Sequence, residues 1–75
     1  SDFQVPVEVH ENSPLEDIFV YAMKREQKSA DLYRRLASLE EDSESAKFFS
    51  GLTAEEKEHK YKLELEYEKI FSSEN

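Results

Sequence analysis

A chain of 75 residues holds at most one small domain. Its 18 acidic and 10 basic side chains leave a net charge of -8, which argues against a nucleic-acid partner, since a polyanion demands a basic footprint. There is no cysteine, which excludes disulfides, zinc–thiolate sites and rubredoxin- or thioredoxin-type chemistry and fits a reducing, cytoplasmic setting; no apolar run is long enough to span a bilayer, no signal-peptide pattern is present, and no membrane partner is expected.

Residues 1–12 read as an arm. Val5, Val7 and Val9 alternate with Pro6, Glu8 and His10, which suggests extended chain, and Pro6 argues against a central strand. The arm is expected to strap across the helices or to link to an upstream segment. His10 has no partner at ligand spacing and reads as a surface histidine.

The first helix is announced by Ser13-Pro14-Leu15-Glu16: an N-cap serine, a proline in the first turn, and the glutamate of a capping box. It should run from 14 to about 40. Glu41-Asp42-Ser43 is the one break, with Asp42 or Ser43 available as the next N-cap. The second helix should run from about 44 to 71, leaving residues 72–75 as a frayed tail. Gly51, the sole glycine, lies inside it and costs roughly 1 kcal/mol of helix propensity; close packing or a local bend would explain its presence.

At about 100° per residue, Phe19, Ala22, Met23, Glu26, Ala30, Tyr33 and Ala37 share one face of the first helix. Lys24, Lys28, Asp31 and Arg35 lie opposite. On the second helix Phe49, Leu52, Glu56, His59, Leu63, Tyr67 and Ile70 share a face, while Glu58 and Lys62 point away as an exposed ion pair. Leu39 and Leu65 fall on outer faces. Residues equidistant from the turn of an antiparallel hairpin lie at one height. Glu26 with Glu56, Phe19 with Leu63 and Tyr33 with Phe49 all centre on position 41, so the two glutamates should face each other between apolar layers.

Each apolar stripe is wider than one neighbouring helix can cover. The expected fold is all-α: an antiparallel two-helix hairpin forming half of a four-helix bundle. The missing pair would come from a second copy, as a homodimer or higher homo-oligomer, or from another hairpin of a longer chain.

A carboxylate in an apolar stripe is costly unless compensated, and a glutamate from one helix with Glu-x-x-His from the next is half of a di-metal carboxylate site. Glu26, Glu56 and His59 are therefore the candidate metal-binding and catalytic residues. Two hairpins about a two-fold axis would set four carboxylates against two divalent ions, one per chain, with no net charge. Carboxylates plus one imidazole per ion suit iron or manganese and admit zinc or cobalt. Glu56 would bridge, Glu26 would be terminal and His59 would bind one ion. The Tyr33 hydroxyl, leaning toward the helix N-terminus, would orient a Glu26 oxygen. Singly, each feature has a plainer reading: His59 pairing with Glu55 at i, i+4, or Tyr33 and Tyr67 as core aromatics with hydroxyls at the rim.

The run Ala22-Met23-Lys24-Arg25-Glu26-Gln27-Lys28-Ser29-Ala30-Asp31-Leu32-Tyr33, then Phe48-Phe49, Leu52 and Glu55-Glu56-Lys57-Glu58-His59, resembles the rubrerythrin branch of the ferritin-like superfamily, most of all the second helical hairpin of such proteins. The resemblance covers residues 15–71. It implies Glu26, Glu56 and His59 as iron ligands, Tyr33 as the tyrosine after the first ligand, and oxidation of ferrous iron by dioxygen or peroxide. The sequence departs from it in lacking a cysteine-ligated electron-supply module and in carrying Ser29 where some members have a further acid. Those departures favour di-iron binding or ferroxidase chemistry over rubrerythrin peroxidase activity. The competing reading is a non-catalytic dimerisation module with a structural or vestigial metal site.

Overall fold

A computed structural model describes residues 8–72 of the chain. Helix α1 spans Leu15–Leu39 and helix α2 spans Ser43–Tyr67, joined by three residues. A π-helical turn, Glu68–Ser72, continues α2. No strand occurs among the described residues. At 1.5 Å per residue each helix is about 37 Å long, and the two lie against each other as an antiparallel hairpin. Residues 1–7 of the arm and 73–75 of the tail lie outside the described residues.

The two helix starts differ. Asp42 caps α2: its carboxylate accepts hydrogen bonds from the Ser45 backbone N–H and from the Ser45 hydroxyl, both at 3.0 Å. The capping box expected at α1 does not form. Pro14 occupies the N-cap position, with no side-chain capping bond. The Ser13 hydroxyl turns back to accept from the His10 N–H at 2.7 Å, and the Ser13 N–H donates to the His10 carbonyl. The glutamate of the expected box, Glu16, is engaged elsewhere. Its carboxylate accepts from the Tyr67 hydroxyl at 2.6 Å, tying the start of α1 to the end of α2. That bond raises the phenol above its ordinary value, with desolvation adding to it.

Packing follows the projected faces. Ala30 and Thr53 are the buried residues among those described, and they stand at matching heights where the helix backbones can approach most closely. The Thr53 hydroxyl donates to the Phe49 carbonyl at 2.9 Å and so enters the contact satisfied. Toward the turn, Tyr33 stacks on Phe49 with ring centroids 6.4 Å apart. At the open end Phe19 packs edge-on against Tyr67, the last residue of α2, and against Phe71 in the π-helical turn, at 6.3 and 6.0 Å. Glu58 and Lys62 form the outward ion pair at 4.0 Å. Leu39 and Leu65 are exposed, and so is Ile70, which the projection had placed inward. Gly51 is exposed, and a methyl group there would meet nothing within 4 Å, so close packing does not explain it.

One flank of the hairpin is closed by polar side chains. Lys60 donates to the Gln27 carbonyl oxygen at 2.8 Å, Gln27 donates to Asp31 at 2.9 Å, and Lys60 also reaches Glu64 at 3.5 Å. On the other flank no such lacing occurs among the described residues. There the groove between the helices opens into a depression of about 460 Å³.

Candidate metal centre

Glu26 lies midway along α1 on the side that meets α2, between the Met23 and Ala30 turns. Glu56 and His59 stand one helical turn apart on α2, so both side chains approach Glu26 from the same helix. The side chains of Glu26 and Glu56 are 27% and 22% exposed, and that of His59 is 55% exposed. The carboxylates thus sit at the inner wall of the depression and the imidazole at its rim.

The three groups converge. His59 Nδ1 is 3.5 Å from Glu56 Oε1 and 3.8 Å from Glu26 Oε1, and no ion pair joins it to Glu55 among the described residues. One donor atom from each residue can be chosen so that all three lie within 4.8 Å of one another. Donors bonded to a single ion at about 2.1 Å are at most about 4.2 Å apart, so the set is close to a coordinating arrangement without an ion.

A hydrogen bond between the Glu26 and Glu56 carboxyl groups raises Glu26 above its ordinary value of 4.5; desolvation and the Glu56 charge push the same way, and His59 and Arg25 oppose them. Carboxyl groups this close on neighbouring helices make ionisation of Glu26 less favourable. A divalent cation between them would offset that cost. The residues present therefore fit a metal by donor type, by spacing and by charge.

The depression is lined on the α1 side by Ile18, Tyr21 and Ala22 and, further along, by Arg25 and Ser29. Arg25 and Tyr21 were not singled out by the sequence reasoning. Their i, i+4 spacing is the signal: the Arg25 guanidinium stands 6.0 Å from the centre of the Tyr21 ring, a cation–π distance, at the lip of the site. Ser29, where some rubrerythrin-like proteins carry an acid, lies in the same wall. Tyr33 lies a layer nearer the turn, flat against Phe49, and no hydrogen bond from its hydroxyl to Glu26 occurs among the described residues. His10 is exposed and 3.7 Å from Glu8, away from this cluster.

The sequence model of the rubrerythrin family matches residues 2–67. The chain belongs to the rubrerythrin family. Within this rubrerythrin-family chain the match takes in Glu26, Tyr33, Glu56 and His59 and ends at Tyr67, where α2 gives way to the π-helical turn. No curated protein and no solved structure matches significantly. The hairpin fits half of a ferritin-like bundle, and among the described residues no helix is long and apolar enough to cross a membrane.

Proposed function

We propose that this hairpin is half of a di-iron carboxylate protein that oxidises ferrous iron with dioxygen or peroxide. The observation that carries the reading is the convergence of two half-buried carboxyl groups and an imidazole, one donor atom from each within 4.8 Å of the others, at a depression open on one side. A second hairpin closing that depression doubles the set to four carboxylates and two imidazoles, neutral overall with two divalent ions. Iron suits this donor set, and manganese or zinc would also be held by it.

Bound iron supplies the electrons that reduce the oxidant. The chain's own groups prepare for it. Glu26, raised above its ordinary value, must be ionised to bind a cation, which couples metal affinity to pH. Both carboxylates sit on helices rather than loops, so their spacing is set before metal arrives. His59, on the exposed rim, offers an imidazole nitrogen donor. Tyr33, held against Phe49, packs beneath the site, and a part in orienting Glu26 would need its hydroxyl to move toward that carboxylate on loading.

The test is anaerobic loading with ferrous iron followed by admission of air, recorded by ferric absorbance and by iron bound per chain. One iron per chain and rapid oxidation are expected of the native sequence, with oxidation at least about tenfold slower in Glu56→Ala. Equal rates in both proteins would leave a helical assembly module with, at most, a structural metal site.

A further inference from the structure

The α1 flank of the depression carries a second pattern, independent of the site residues. Leu15, Ile18, Ala22, Arg25, Ser29, Leu32, Leu36 and Leu39 recur at alternating spacings of three and four, the seam of a helix that packs along its length on another. Four of them line the depression, and Leu15 and Leu32 remain 51% and 53% exposed in the hairpin. Among the described residues Leu15, Ile18, Arg25, Leu32 and Leu39 of this seam are exposed, and Ala22, Ser29 and Leu36 are half-buried.

Its residue sizes read the same in both directions. Leu15 with Leu36 and Ala22 with Ser29 are both centred on position 25.5, and Ile18 with Leu32 on 25. Large residues stand at the ends, small ones flank the middle, and the centre falls beside Glu26. A two-fold interface sets residue i against j and j against i, so a size palindrome is self-complementary when two copies of the helix run antiparallel.

We infer that a second copy of this chain docks on the α1 seam, α1 antiparallel to α1, with the two-fold axis crossing the bundle at the level of Arg25 and Glu26. Ala22 then meets Ser29 of the partner copy, and Ile18 meets Leu32 of the partner copy. Both sets of Glu26, Glu56 and His59 arrive at one height. A two-fold axis parallel to the helices would instead set Leu36 and Leu39 over Ala46 and Ser43 of α2 in the other copy, a poor match in size. The inference rests on the reading that the site is half of a metal centre and names what completes it.

The absence of cysteine makes the register directly testable. Ala22→Cys and Ser29→Cys are made separately in the 75-residue chain and oxidised alone and mixed, with and without manganous ion. In the antiparallel seam, position 22 lies about 10 Å along the axis from position 22 of the mate, at 1.5 Å per residue, too far for a disulfide. The mixture should therefore cross-link, and each variant alone should not. Leu32→Glu should lower dimer association at least tenfold, whereas Leu65→Glu on the outer face should leave it unchanged. Self-cross-linking of Ala22→Cys, or a monomer under both conditions (as when the chain's own arm fills the groove), overturns the inference. Iron bound by a monomer would overturn the pairing and leave the metal reading standing. Cross-linked dimers that bind no iron would support the pairing and remove the metal reading.

Discussion

Replacing Glu26 with glutamine should make the metal-free protein more stable and at the same time weaken its hold on iron. In the hairpin the Glu26 carboxyl group is raised above its ordinary value by its neighbour Glu56 and by burial, and both side chains are only about a quarter exposed. Two like charges roughly 4 to 5 Å apart repel by about 0.8–4 kcal/mol for effective dielectric constants between those of water and a protein surface. The partial exposure puts this pair toward the lower end, at about 1–2 kcal/mol. A glutamine amide can donate to Glu56 without a titrating proton and removes most of that cost. A gain of about 1 kcal/mol corresponds to roughly 4–8 °C in melting temperature for a domain of this size.

The pH dependence has a definite sign. Because Glu26 is raised in the folded state, folding takes up a proton there. The stability tied to that proton is complete below the ordinary carboxylate value and is lost as pH rises through the folded one. The native sequence, stripped of metal with a chelator, should therefore melt relatively higher near about pH 5 than near about pH 7.5, and the difference should shrink in Glu26→Gln. Circular dichroism melts of both proteins at the two pH values supply the measurement. Iron affinity of the variant should fall at least about tenfold. A variant no more stable than the native sequence at neutral pH, or one that keeps its iron, would refute the argument that these carboxyl groups are held together for a cation.

Three further outcomes follow from the hairpin itself. Gly51→Ala should stabilise the fold by about 1 kcal/mol in urea denaturation, because the added methyl meets open space and removes the glycine penalty. Asp42→Ala should cost about 1 kcal/mol in the same assay by unpairing the Ser45 N–H, whereas Ser13→Ala should leave α1 uncapped as it already is. Ala30→Leu should destabilise by about 1–3 kcal/mol or force the helices apart, since Ala30 is only 2% exposed at their contact; a melting temperature equal to the native one would show that the contact is looser than described.

Much of this protein is written in local spacing. The periods of Phe19–Ala37 and Phe49–Leu63 place the apolar faces, Asp42 caps α2, and the position of the turn sets Glu26 opposite Glu56. Each of these depends on neighbours along one helix or on counting outward from a single break, and both are properties of the chain. The ends of the helices were not legible in that way. Ser13 and Glu16 satisfy a capping box on paper, yet Ser13 bonds back to His10 and Glu16 is taken by Tyr67, 51 residues away. Competition for a carboxylate is settled by whatever the far end of the hairpin brings near it. Arg25 escaped notice for a related reason: helix projection sorts residues into inside and outside, while this guanidinium stands at the lip between the two. The same limit applies to His59. Its spacing places it on the inner face, but with two helices that face is a rim open to solvent, and only three-dimensional packing reveals a depression there, with a seam of leucines beside it.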